Sequence, residues 1–196
     1  MRKVIIIIII IILASVALYG REAWQRDSGV ASDRVIEASP RSMDLRIMSS
    51  VFSHRGNIPV KYTCDGENIS PPLKILGVPE KTKSLALIMD DPDVPKHLRP
   101  DGLWVHWVMW NIDPKTEDIP EHSVPASAVE GATSSGRPGY GGPCPPDREH
   151  RYFFKLYALD TMLKLDVSAT KDILEEAMQG HILVQAELMG VYEHTR

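Results

Sequence analysis

Residues 104–112 read Trp104-Val105-His106-Trp107-Val108-Met109-Trp110-Asn111-Ile112. Aromatic and β-branched residues dominate the stretch, and with a period of two it predicts a strand. Strict alternation puts Trp104, His106, Val108, Trp110 and Ile112 on one face, with Val105, Trp107, Met109 and Asn111 on the other. Both faces are apolar, so the strand is expected to be central and covered from two sides. Residues 84–89, 151–159 and 182–189 read similarly, and residues 46–52 form a weaker first strand. One helix is expected, with Thr170 as N-cap, Ile173, Leu174, Ala177 and Met178 along one side, and Gly180 as the stop. The fold class is therefore mainly β: an antiparallel β-sandwich with one or a few short helices.

Composition narrows the function. The 196 residues carry 22 basic and 26 acidic side chains, a formal charge of −4. A weakly acidic chain without a basic stripe offers phosphate backbones little counterion release, so no nucleic-acid partner is expected. Two cysteines exclude a disulfide-dense scaffold and a four-cysteine zinc site.

The N-terminus belongs to another regime. After Arg2 and Lys3, residues 4–20 are uncharged and include eight consecutive isoleucines. The length lies between a secretory h-region and a spanning helix. We read residues 1–20 as an uncleaved hydrophobic helix that anchors the chain in the membrane, with cleavage after Ala17 as the alternative. Arg2 and Lys3 stay on the cytoplasmic side, which places the rest of the chain outside the cytoplasm. Residues 21–45, rich in arginine and acids, read as a solvated linker, and residues 46–196 as the folded domain.

Three segments carry chemistry. Asp90-Asp91-Pro92-Asp93-Val94-Pro95 follows a buried strand, and its prolines stiffen the loop that holds Asp91 and Asp93. His106 lies between tryptophans. In the long connection 113–150, which holds seven of the fifteen prolines, Gly139-Tyr140-Gly141-Gly142-Pro143-Cys144-Pro145-Pro146 precedes His150-Arg151-Tyr152. Successive glycines let backbone N–H groups approach an anion, and loops of this length in compact domains are commonly functional.

These segments, together with residues 62–72, resemble the phosphatidylethanolamine-binding proteins, most closely the bacterial and archaeal branch called YbhB/YbcL or Raf-kinase-inhibitor-like. The resemblance covers residues 46–192. It implies a Greek-key β-sandwich with a small pocket for phosphate, carboxylate or a phospholipid headgroup. The residues matching that pocket are Asp91, Asp93, Trp104, His106, Gly141, Gly142, Cys144, His150 and Tyr152. In the expected mechanism a protonated His106 or His150 and the Gly141 and Gly142 amides donate to the anion, while Asp91 orients a histidine. Two departures stand out: Val105 replaces the first of the two adjacent histidines of eukaryotic members, and the chain lacks their longer C-terminal helix. Kinase inhibition is not carried over.

Other classes were weighed. No G-x-S-x-G, H-E-x-x-H or G-K-[ST] motif marks an enzyme, and no cofactor is expected. The alternative is a metal-dependent hydrolase using Asp91, Asp93, His106 and His150. Cys144 with His150 could form a nucleophilic pair. Cys64 and Cys144 either stay free or pair; export permits pairing, which is the favoured state. The 113–150 connection would also suit a protein partner, through which the chain would act as an inhibitor or modulator.

Overall fold

A computed structural model describes residues 44–194. The expected N-terminal helix lies outside the described residues, as does the linker up to residue 43. Among the described residues no helix is long and apolar enough to cross a membrane.

Among the described residues eight strands form two antiparallel sheets. The smaller contains β1 (Arg46–Ser49), β2 (Leu73–Leu76) and β5 (Asp118–Ile119), in the order β1-β2-β5. The larger contains β3 (Ser84–Asp91), β4 (Trp104–Ile112), β6 (Val129–Glu130), β7 (His150–Leu159) and β8 (Ile182–Tyr192), in the order β6-β4-β3-β7-β8. β7 returns across the long connection to lie beside β3, the Greek-key return. The short strands β2, β5 and β6 carry too few residues for periodicity to show and were not expected from the sequence.

The large sheet is the middle layer. Its Leu85, Leu87, Met89, Trp107, Met109, Phe154 and Leu156 pack against Ile47, Leu73, Ile75 and Ile119 of the small sheet. On the opposite face Ala86, Ile88, Val108, Trp110 and Leu159 pack against Leu174 and Met178 of α1 (Lys171–Met178). The helix buries a narrower stripe than expected, because Ile173 is 45% exposed. Leu45, assigned to the linker by its sequence surroundings, is buried in the first core.

β4 departs from strict alternation, and the departure shapes the site. Met89 pairs with Trp107, but the next residue, Asp90, pairs with Val105, so His106 is an extra residue in the ladder. Such a β-bulge shifts every later side chain to the other face. Trp107 and Met109 consequently join the core between the sheets, and Val108 and Trp110 the helix side. A second irregularity near Asn111, whose φ is +58°, returns Ile112 to the first core. Asn111 tolerates the left-handed region and closes both polar ends of its amide on the Leu163 backbone, at 2.9 Å each.

Candidate functional site

At one end of β3, β4 and β7 lies a cavity of about 420 Å³. Asp91, Trp104, His106, Gly141, Gly142 and Cys144 line it, joined by Cys64, Asn68, Val94, Leu98, Arg99, Ser135 and Pro146. A larger open groove along β1 and β8 contains none of the residues singled out from the sequence.

The bulge presents His106 to this cavity. The ring is buried, and its Nδ1 lies 2.7 Å from the carbonyl oxygen of Gly141. A carbonyl only accepts, so Nδ1 carries a hydrogen, and in the neutral ring Nε2 is a lone-pair acceptor. Nε2 is buried and has no partner among the described residues. Loss of hydration pushes the His106 pKa down to about 4, against the pull of the Gly141 and Gly142 backbone carbonyls and with the help of the nearby His150. That direction favours a neutral His106 ring at physiological pH, whereas the expected donor was a protonated His106 or His150. Tyr152 packs edge-on against the His106 ring with centroids 5.2 Å apart, and its buried hydroxyl has no partner among the described residues either.

The glycine loop also differs from expectation. Gly141 N–H donates to the His106 carbonyl at 2.9 Å, and Gly142 N–H to Asn68 Oδ1 at 2.8 Å. Both amides are spent inside the protein, so they do not form the expected anion nest. Gly142 is required for another reason: an added Cβ would sit 2.5 Å from Asn68 Oδ1 and 2.6 Å from the Tyr62 carbonyl. The loop is pinned to residues 62–68 at further points. Cys64 N–H donates to the Pro143 carbonyl at 3.0 Å, Tyr140 Oη–H donates to the Tyr62 carbonyl at 2.7 Å, and a disulfide joins Cys64 to Cys144. Neither thiol is free, so the Cys144–His150 nucleophilic pair does not exist in this structure.

His150 lies behind the cavity wall and is not among its lining residues. The ring is fully buried, with Nδ1 2.7 Å from Asp91 Oδ2 and Nε2 2.8 Å from Asp147 Oδ1. Two carboxylates flanking both nitrogens are satisfied by an imidazolium donating in both directions. Asp91 thus orients His150, not the ring that faces the cavity. Burial raises the Asp91 pKa, against the lowering effect of its bond to His150. Asp93 turns away: it accepts from Arg151 Nε at 2.8 Å and from the guanidinium's second nitrogen at 2.7 Å, which lowers its pKa. Asp91, Asp93, His106 and His150 do not converge on one point. Among the described residues the acid, histidine and cysteine groups close enough to share an ion are Cys64, Asp65 and His194, and Cys64 is spent in the disulfide. The metal-hydrolase reading therefore has no ligand set to rest on.

Arg99, which the sequence did not single out, gives the wall its cation. It stacks over Trp104 at 5.4 Å from the ring centroid and is paired with Asp101. Asn68 was also missed as a site residue, although it stands inside the resembling segment 62–72.

A model of the phosphatidylethanolamine-binding protein family matches residues 48–193, a span that includes every residue lining the cavity. The chain belongs to that family. A Chlamydia pneumoniae relative named UPF0098 protein is 50% identical over 149 residues, which cover 76% of this chain and 99% of the relative. One from Methanothermobacter thermautotrophicus is also 50% identical, over 153 residues covering 76% and 98%. Among solved structures, a phosphatidylethanolamine-binding protein homologue from Chlamydia trachomatis superposes with a TM-score of 0.76 at 47% identity, covering 78% of this chain and 99% of that one. E. coli YbcL gives 0.71 at 30% identity, with coverage of 78% and 99%. The family assignment joins the two separated halves of the site, the β3 acids and the β7 histidine, within one matched span.

Proposed function

We propose that the chain is a binding protein held outside the cytoplasm, whose cavity takes a small oxyanion such as phosphate, a carboxylate or a phospholipid headgroup. The observation that carries this reading is His106 Nε2, a buried polar atom without a partner on a ring that lines the cavity. Buried polar atoms are ordinarily satisfied, and this one is satisfied by a hydrogen on the ligand or, once the ring takes up a proton together with the anion, by the anion itself. The cavity volume falls at the small end of ligand sites, suited to a headgroup rather than a whole lipid. Arg99 supplies the attraction for negative charge, Trp104 lines the wall with an apolar face that excludes water, and Tyr152, not itself a lining residue, backs the His106 ring.

Location rests on separate support. The uncharged run of residues 4–20 behind Arg2 and Lys3 reads as a membrane anchor, and the Cys64 to Cys144 disulfide suits an oxidising compartment.

Calorimetric titration of the full-length protein in a non-ionic detergent with phosphoethanolamine tests the binding reading. His106→Ala should weaken affinity at least about tenfold, because truncating a buried hydrogen-bonding group costs about 1–3 kcal/mol. Equal affinity in variant and parent would remove the reading. Protease added outside intact cells should digest the folded domain, and a protected C-terminus would reverse the topology.

A further inference from the structure

We infer that the Cys64 to Cys144 disulfide masks a metal site: once a dithiol reduces it, the two thiolates, Asp65 and His194 bind a zinc ion at the cavity rim. The site does not depend on the oxyanion reading of the cavity. It rests on four ligating side chains brought together from three distant stretches of chain. One ligand atom from each of Cys64, Asp65 and His194 lies within 4.8 Å of the other two, and Cys144 Sγ is bonded to Cys64 Sγ. Two sulfurs, an imidazole nitrogen and a carboxylate oxygen match the four-coordinate preference of zinc. Tetrahedral zinc spaces its ligand atoms about 3.3–3.8 Å apart. A small rotation of the partly exposed His194 and Asp65 side chains therefore closes the set.

The disulfide is not alone in keeping these groups together. Cys64 N–H donates to the Pro143 carbonyl at 3.0 Å, Gly142 N–H to Asn68 Oδ1 at 2.8 Å and Tyr140 Oη–H to the Tyr62 carbonyl at 2.7 Å. The segments carrying the two cysteines, whose Cα atoms are 5.4 Å apart, thus stay adjacent when the sulfur bond is cut. Tyr192, the last residue of β8, pairs with His150 and donates its hydroxyl to Asp65 Oδ2, and the same oxygen lies 2.7 Å from His194 Nδ1. None of these contacts involves sulfur, so β8 delivers His194 to the cysteine loop in either redox state. The disulfide shuts the site because the thiolate is the metal ligand. Both cysteines line the cavity and Cys144 is exposed, so a small dithiol reaches the bond. Its thiolate attacks one sulfur and breaks the Cys64 to Cys144 bond, and its second thiol resolves the mixed disulfide. The dithiol gives up two electrons and leaves as its own disulfide, and the protein keeps two thiols. Zinc then expels the two thiol protons. Four protein ligands leave no position for water, which makes this a holding site and not a hydrolytic one.

The test uses the full-length protein in a non-ionic detergent, with cobalt(II) as the spectroscopic probe and zinc as its competitor. After reduction with dithiothreitol and anaerobic removal of the reagent, cobalt(II) should give a thiolate charge-transfer band together with tetrahedral d–d bands. Zinc should abolish both, and each zinc bound should release about two protons at neutral pH. The disulfide form should show neither band and bind zinc at least about a hundredfold more weakly, since even the loss of an outer-sphere partner costs tenfold or more. His194→Ala should weaken zinc binding to the reduced protein at least about tenfold. Equal zinc affinity in the reduced and disulfide forms overturns the inference. So does a reduced His194→Ala protein that binds zinc as tightly as the reduced parent, which would leave only a bare dithiol. Loss of the native tryptophan fluorescence on reduction overturns it as well, because the four ligands then no longer share one frame. Each of these outcomes leaves the oxyanion reading of the cavity standing.

Discussion

His106 and His150 occupy the two strands that flank β3, and both are buried, yet their surroundings are opposites. Around His106 one ring nitrogen is held by a backbone carbonyl and the other is left without a partner at the cavity wall. Around His150 both nitrogens meet carboxylates, and the ring is excluded from the cavity. The proposed binding role falls to the histidine whose hydrogen bonding is incomplete. The one with full satisfaction serves as a brace, tying the loop after β3 to the start of β7.

The sharpest way to break this contrast is to remove the brace. His150→Ala leaves the buried Asp91 carboxyl without its hydrogen-bond partner, and stripping one partner from a buried pair of this kind costs about 3–5 kcal/mol. Guanidinium unfolding monitored by tryptophan fluorescence should show that loss; a change below about 1 kcal/mol would make His150 a spectator. Next in size is the disulfide, which holds the His106-pinning loop to Cys64 across a separation of 80 residues. Replacing both cysteines by alanine should lower stability by about 2–4 kcal/mol and weaken ligand binding as well. Stability lost without any loss of affinity would show that the loop keeps its place unaided.

A third measurement isolates His106. Its folded pKa is about 4 against an ordinary value of 6.5, so the unfolded chain binds the extra proton first. The stability tied to its neutral form is complete above pH 6.5 and disappears as pH falls toward 4. That amounts to about 3 kcal/mol of acid sensitivity from this ring. His106→Gln should flatten that part of the stability-against-pH curve, and an unchanged slope would deny the ring its neutral state. The smallest effect belongs to Asp93, whose partner Arg151 is 52% exposed. Asp93→Asn should cost less than about 1 kcal/mol and leave phosphoethanolamine affinity within about twofold. A large loss of affinity would move Asp93 from the brace to the binding wall.

Most of the large sheet was legible in the chain. Residues 84–89, 104–112, 151–159 and 182–189 are long enough for their apolar patterning to outweigh local noise, and each lies within a strand of that sheet. The two-residue strands β5 and β6 were not legible, because so short a piece has no period and is defined only by its partner. The bulge at His106 was hidden for a related reason. An unbroken run of β-formers fits straight alternation as well as a shifted one, and the register against β3 makes the choice. Asp91, Trp104, His106, Gly141, Gly142 and Cys144 were picked out as residue types and do line the cavity. Arg99 stands in a loop where one cation among several carries no periodic or motif signal.

What the sequence by itself determined is the class of chain: a two-faced β domain behind a greasy N-terminal run, with acids, histidines and glycines in stiffened loops. Those properties are local, written in spacing and composition. Tertiary structure decided which histidine is fully paired, which amides are already spent, and which acid faces which ring. Hydrogen-bond partners drawn from residues as distant as Asp91 and His150, or Asn68 and Gly142, meet only when the sheet closes. The protonation state of a buried ring is set by those partners and by the water it has lost, and neither can be read along the chain.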